Sequence, residues 1–393
     1  MYKIVNKKKL IATIVLDTLG KLLFFIPSLF RQQKEIADAR ISSILVIRTA
    51  YIGDVVMTLP LVQMLKATYP EAKLTFLTSS SAKGIVENNP FVDNLLLYDP
   101  FWFFQTSISR WLSFVKRLRR MRFDLVIEAR ADIRDLLLLV FFTRSSIKVS
   151  YAVGGGAYVL SHVVPYPGQG HKVDYHKNIG RYLGCRDDQT AAPIHLLPDE
   201  KKRSQQMLQE SGIIGPFVAI HPGSRLELKR WPAERFAQVC DYIVNTYQRQ
   251  IVFIGASSEL PLVEFIQEKM TNSASILAGK VTLRELAALL GEAELFVCND
   301  SAPMHIAAAM KTKIVAIFGP STSVETGPYG NVHRIVEKDV SCRGSCDENR
   351  CQSLPFHHCM LDIEIADVNQ AIDELICIKK KSEAENNKEV QTP

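Results

Sequence analysis

Ile44-Leu-Val-Ile47, followed by Arg48-Thr-Ala-Tyr-Ile-Gly-Asp54 and an apolar helical pattern through Met64, is the stretch on which the fold class turns. A short apolar run without alternation marks a strand buried on both faces, as in a parallel sheet covered by helices. The same signal returns at Leu74-Thr-Phe-Leu77, Asn94-Leu-Leu-Leu97 and Leu125-Val-Ile127. A second series runs through Phe217-Val-Ala-Ile220, Ile251-Val-Phe-Ile254, Leu295-Phe-Val297 and Ile314-Val-Ala-Ile317. Two successive strand–helix series predict an α/β protein of two doubly wound domains. The Pro/Asp/Lys-rich stretch from Leu197 to Arg203 reads as a linker. The expected divisions are an extension at 1–40, a first domain at 41–196, a second at 197–378 and a disordered polar tail at 379–393.

Composition agrees with two cores. The chain has 393 residues, 47% of them hydrophobic and 22% charged, with 18 Pro and 20 Gly, which excludes a mainly disordered or fibrous chain. Net charge is +6, but residues 1–40 hold eight Lys/Arg against three Asp/Glu. The rest is close to neutral, which argues against a nucleic-acid-binding protein. Of eight cysteines, Cys185, Cys240, Cys298 and Cys377 are scattered singly and read as core residues. Cys342, Cys346, Cys351 and Cys359 cluster with His357 and His358, at a spacing that is not a standard zinc pattern. Metal binding, disulfides, simple packing and a catalytic role all stay open for them.

Lys7, Lys8 and Lys9 precede an apolar stretch from Leu10 to Phe30 that Asp17, Gly20, Lys21 and Pro27 interrupt. A membrane span needs about 20 mostly uninterrupted apolar residues. Thr13, Asp17 and Lys21 form one polar stripe at four-residue spacing, with Ile11, Val15, Leu22 and Ile26 opposite. This predicts a helix lying in the membrane surface, with a span or a signal peptide as alternatives, the latter lacking a small-residue cleavage pattern. A second cationic segment, Arg110, Lys116, Arg117, Arg119, Arg120 and Arg122, contains no acid between 110 and 122. Its apolar face, Trp111, Phe114, Val115 and Leu118, follows the aromatic run Phe101-Trp-Phe-Phe104. Either it merely packs on the sheet, or it shares a membrane-facing side with residues 7–30, Arg117 and Arg120 turned toward acceptor and lipid.

Ligands of doubly wound sheets bind beyond the carboxyl ends of the strands, so the loops there are the candidates. Asp54 opens a helix and is either a helix cap or a general base. His221-Pro-Gly-Ser224, continuing to Lys229-Arg-Trp-Pro232, offers amides and cations suited to a diphosphate. Asn299-Asp-Ser-Ala-Pro-Met-His305 brings a carboxylate, a hydroxyl and an imidazole to a helix start. Phe318-Gly-Pro-Ser-Thr322 is a further small-residue turn. No G-x-G-x-x-G and no P-loop motif is present, and Gly154-Gly-Gly156 matches neither.

Four motifs in register carry a resemblance. Arg48-Thr-x3-Gly-Asp54-x4-Leu-Pro60, His221-Pro-Gly-Ser224 with Lys229-x-Trp-Pro232, Asn299-Asp-Ser-x3-His305 and Phe318-Gly-Pro-x7-Pro-Tyr-Gly330 resemble glycosyltransferase family 9, the ADP-heptose:lipopolysaccharide heptosyltransferases and their relatives, over about residues 41–378. The Cys342–Cys359 cluster resembles a carboxyl-terminal feature of many members.

The resemblance implies a GT-B architecture, two Rossmann-like domains facing across a cleft, and inverting transfer of a heptose or related sugar to a hydroxyl of a lipopolysaccharide core or similar glycan. It implies Asp54 as the base and Arg48 on the acceptor side. Ser224, Lys229, Ser301, Ser321 and Thr322 would surround the leaving diphosphate, Glu259 the ribose, and Asp300 with His305 the sugar and diphosphate. No D-x-D motif sits at a strand end, so no metal or other cofactor is expected. The expected partners are ADP-heptose, a lipid-linked glycan and the membrane surface, but no nucleic acid. The expected location is cytoplasmic, attached peripherally to the inner membrane. A GT-B nucleotide-sugar epimerase and a catalytically silent nucleotide-sugar-binding protein are the alternatives.

Overall fold

The computed structural model describes residues 7–29, 36, 39–187, 193–330, 332–344, 346, 350–351 and 353–376, with backbone alone at 7–10 and 24–29. The chain divides into two compact units, Met1–His195 and Leu196–Pro393. The expected tail at 379–393 lies outside the described residues.

The first unit holds β1 (Ser43–Ile47), β2 (Lys73–Thr78), β3 (Asn94–Leu97), β4 (Leu125–Glu128), β5 (Ile147–Ser150) and β6 (His162–Val163). They pair in the order β3-β2-β1-β4-β5-β6, every pair parallel. Four of the five residues of β1 are buried, which is why its sequence shows no alternation. Leu45, Ile47 and Val126 face a layer made by helix Ile108–Leu118 and the segments around Leu136, Val140 and Val159. The other side is covered by helices Ile52–Thr68 and Lys172–Tyr182, which pack on each other.

The second unit repeats the plan with β7 (Phe217–His221), β8 (Gln250–Phe253), β9 (Ser275–Ile276), β10 (Leu295–Asn299), β11 (Ile314–Ile317) and β12 (His333–Val336). Its order is β12-β11-β10-β7-β8-β9, again all parallel. Phe236, Phe253, Phe296 and Phe318 are fully buried here, each stabilising the fold by roughly 1.5–3 kcal/mol.

The linker expected at Leu197–Arg203 is instead the start of a helix, Pro198–Glu210. Proline at its first turn, with Asp199 and Glu200 beside it, favours helix initiation. Glu200 also pairs with Arg284 of helix Leu283–Glu292, at 2.5 Å, so the segment is packed rather than spanning open solvent.

The N-terminal helix runs from Lys7 to Leu29, and among the described residues no helix is long and apolar enough to cross a membrane. Its polar stripe is turned the unexpected way. Thr13 and Asp17 are buried against the first unit, while Ile11, Val15, Leu19 and Leu22 are exposed. The side chain of Ile26, expected on the same face, lies outside the described residues.

Candidate functional site

In the first unit, β1 ends at Ile47 and the chain passes Tyr51 before entering helix Ile52–Thr68. Tyr51 has φ 56°, a left-handed conformation costly for a tyrosine and typical of functional turns. Asp54 stands in the first turn of that helix, whose cap position is Tyr51. Its Oδ1 pairs with Arg48 Nη2 at 2.7 Å. The Arg48 side chain is buried, and its Nε and Nη1 have no hydrogen-bond partner among the described residues. Two guanidinium donors next to Asp54 are thus left for something else.

Around this pair lies a buried polar set that sequence reasoning did not single out. Glu128, the last residue of β4, accepts from Arg130 N (2.9 Å), Ala131 N (2.7 Å) and Ser150 Oγ (2.7 Å). Asp135 accepts from Thr49 Oγ1 and Trp102 Nε1, each at 3.0 Å. Burial raises both carboxyls, and a neighbouring carboxylate adds to it: Asp135 for Glu128, Asp132 for Asp135. His176 places Nδ1 2.9 Å from Met57 O and Nε2 2.9 Å from Ala129 O, linking the Asp54 helix to the loop after β4. Burial first, and Arg48 second, push its pKa down to about 4. A neutral imidazole has one N–H, so only one carbonyl receives a proton. The signal for this set was its place at the ends of β1 and β4, where the strand order reverses.

The aromatic run contributes Phe103, with the guanidinium carbons of Arg130 and Arg134 at 3.9 and 4.3 Å from its ring centre. Arg130 also lies 5.5 Å from the Tyr51 ring. Arg117 and Arg120 are elsewhere in character: both are exposed on the outer side of helix Ile108–Leu118 and its end, a cationic surface rather than part of the Asp54 cluster.

In the second unit the candidates gather at the ends of β7 and β10. His221 Nδ1 is 3.0 Å from Ser301 Oγ, and its Nε2 is 3.1 Å from Glu259 Oε2. Glu259 also accepts from Ala256 N at 2.8 Å. Burial would raise this carboxyl, but the His221 contact and the Ala256 amide outweigh it and hold it below its ordinary value. Gly223 lets Glu259 take this position, because a Cβ there would lie 1.9 Å from Oε1 and would displace the carboxylate. Lys229 Nζ pairs with Asp300 Oδ2 at 2.6 Å, and Ser224 Oγ donates to Asp300 O at 3.2 Å. Asn299 ties the loops together, donating to Pro222 O (2.7 Å) and accepting from Trp231 N (3.2 Å). Ser224, Lys229, Glu259, Asp300 and Ser301 therefore belong to one hydrogen-bonded cluster with His221 and Asn299, two residues to which sequence reasoning gave no role.

His305 is buried in helix Ala302–Ala309, which opens one residue after Ser301. Ser321 and Thr322 follow β11, with the Ser321 hydroxyl buried and without a partner among the described residues, and Thr322 opening a four-residue helix. All described cysteines are free thiols, Cys359 is buried in the core, and Cys342 Sγ lies 3.7 Å from His358 Nε2. Among the described residues no group of three or more His, Cys, Asp or Glu could hold a metal ion.

The sequence model for glycosyltransferase family 9 (heptosyltransferase) matches residues 111–355. The chain belongs to this family. It is an enzyme of the glycosyltransferase class. Among family 9 relatives, lipopolysaccharide heptosyltransferase 3 of Escherichia coli K12 is 30% identical over 294 residues, covering 71% of this chain and 83% of that protein. The solved family 9 glycosyltransferase from Veillonella parvula superposes with a TM-score of 0.73 at 24% identity, covering 85% of this chain and 97% of the other. E. coli ADP-heptose lps heptosyltransferase II superposes with 0.71 at 19% identity, covering 86% and 99%. At such identities the family 9 structures establish a shared fold, two Rossmann-like units of the GT-B class.

Proposed function

We propose that this chain transfers a heptose from ADP-heptose to a hydroxyl of a lipopolysaccharide core, with inversion at the sugar carbon. The kinship with lipopolysaccharide heptosyltransferase 3 carries the reading, and the epimerase and silent-binder alternatives are not favoured. Direct displacement needs a base on the incoming hydroxyl and positive potential at the departing diphosphate.

Asp54 is the proposed base. Arg48 orients its carboxylate through the 2.7 Å pair, and the two remaining Arg48 donors suit an anionic group on the acceptor. In the second unit Lys229, with Ser224, Ser301, Ser321 and Thr322, would receive the diphosphate. Glu259, fixed by His221 and the Ala256 amide, is the acceptor of ribose hydroxyls, and Asp300 with His305 lines the sugar. Every one of these tasks uses groups this chain carries itself, and no cofactor is assigned.

The acceptor being lipid-linked, we further propose that the enzyme works at the cytoplasmic face of the inner membrane as a peripheral protein. The basic helix ending near Arg120 and the three lysines opening the N-terminal helix support that reading.

The deciding experiment supplies purified enzyme with ADP-heptose and a heptose-deficient lipopolysaccharide core, and follows ADP release and acceptor mass. Acceptor-dependent release with a gain of one heptose is expected. Turnover of ADP-heptose that ignores the acceptor, or thermal protection by other nucleotide-sugars and none by ADP-heptose, would overturn the assignment.

A further inference from the structure

An in-plane membrane helix ordinarily keeps its polar stripe for water and its apolar side for lipid. Here Thr13 and Asp17 of the polar stripe are already buried against the protein, and only Lys21 stays exposed. Asp17 is 2% exposed, and its Oδ1 accepts from Gly156 N at 2.7 Å while Oδ2 pairs with Lys21 at 2.7 Å. The joint is fitted closely from both sides. Gly155 has φ +87°, and a Cβ on it would lie 2.9 Å from Asp17 Oδ1. A Cβ on Gly20 would lie 1.9 Å from the Tyr158 hydroxyl. The triple glycine that matches no nucleotide motif is thus the seat of the N-terminal helix.

What the joint leaves outward is apolar. Ile11 is 63% exposed, Leu22 71% and Leu23 76%, with Val15, Leu16 and Leu19 between them. From Ile11 to Leu23 this face extends about 18 Å at the helical rise per residue. Contiguous exposed apolar surface of this kind marks an interaction site.

Charge identifies its occupant. The helix packs on residues 157–159, and Val159 belongs to the same apolar layer as Leu118, Trp111 and Phe114 of the cationic helix. The two helices therefore lie on one side of the first sheet. Arg110, Lys116, Arg117, Arg119, Arg120 and Arg122 are all exposed there, joined by Ile108 and Leu112. Apolar residues flanked by unopposed cations match the headgroup–acyl boundary of an anionic bilayer.

We propose that helix Lys7–Leu29 is a lipid-inserting edge fixed to the first unit by its polar side, through Asp17 and the Gly155–Gly156 turn, with the Arg110–Arg122 surface meeting anionic headgroups. It rests on the peripheral-membrane reading above and adds which face enters the lipid. Because the helix is seated and not tethered, insertion orients the whole first unit to the bilayer.

The test uses the full chain with vesicles of phosphatidylcholine alone and with added phosphatidylglycerol, at low and high salt. Leu19→Asp with Leu22→Asp, both at exposed positions, should weaken binding to the anionic vesicles by on the order of 10²-fold with an unchanged circular dichroism spectrum. Leu22→Trp should add fluorescence that brominated lipid quenches. Undiminished binding of the double variant, or an added signal that brominated lipid leaves untouched, would overturn the inserted edge while leaving a membrane enzyme held by cations alone. A full chain that ignores all vesicles would sink both readings. If that chain is a dimer which the double variant separates, the face belongs to a second copy.

Discussion

Lys229 Nζ and Asp300 Oδ2 stand 2.6 Å apart, an ion pair that ties the loop after β7 to the loop after β10 across the point where the second sheet reverses its strand order. The pair has a double consequence for the donor. Lys229→Ala removes a cation from the proposed diphosphate site and also leaves the largely buried Asp300 carboxylate unopposed. Both changes act against a departing diphosphate, so kcat/KM for the donor should fall by about 10²-fold, with loss in both parameters. Steady-state kinetics against donor concentration checks this. Unchanged donor affinity and rate would reduce Lys229 to a structural partner of Asp300.

Asp54→Asn keeps the shape of the Arg48 contact but cannot take a proton. Donor affinity, read by calorimetry, should stay near that of the native enzyme while turnover drops by roughly 10²–10⁴-fold. A near-normal rate would return Asp54 to the role of an orienting partner for Arg48.

His176 makes stability depend on pH with a definite sign. Its pKa is about 4 in the fold against an ordinary 6.5, so the unfolded chain takes up the proton first as pH falls. The neutral ring's contribution is complete above pH 6.5 and is lost progressively down to pH 4, amounting to roughly 3 kcal/mol over the window. Glu128 and Asp135, raised by burial, act in the opposite sense over part of that range. Comparison with His176→Gln isolates the histidine: in denaturant unfolding, the stability of the native chain relative to the variant should fall between pH 7 and pH 4. Equal losses would mean that His176 does not titrate as its burial implies.

Much of the fold was legible because buried parallel strands write themselves as unbroken apolar runs. Strands that are polar or very short were not. Ile147–Ser150 carries Lys148, whose ammonium escapes the usual cost of burial by donating to Val140 O at 2.8 Å, so its sequence looks polar. His162–Val163 and Ser275–Ile276 are two residues long and carry almost no pattern. In the site, the loops of β1, β7 and β10 were readable from Asp54, Lys229 and Asp300, whose residue types advertise their chemistry. Glu128 and Asp135 stayed hidden because a carboxylate's burial depends on strands distant in sequence. The N-terminal helix was legible as amphipathic, yet the direction of its faces depended on Gly155 and Gly156, well over a hundred residues away.

The matching strand orders of the two sheets bear on how such an enzyme diversifies. Each unit carries its own reversal point, between β1 and β4 in the first and between β7 and β10 in the second, and Asp54, Glu128, Lys229 and Asp300 lie at or beyond the ends of these flanking strands. The aromatic run, the cationic helix and the seated N-terminal helix are all elaborations of the first unit alone. The loops and appendages of the first unit can therefore be rewritten without disturbing the hydrogen-bonded cluster around His221 and Asn299, which the second unit holds by itself.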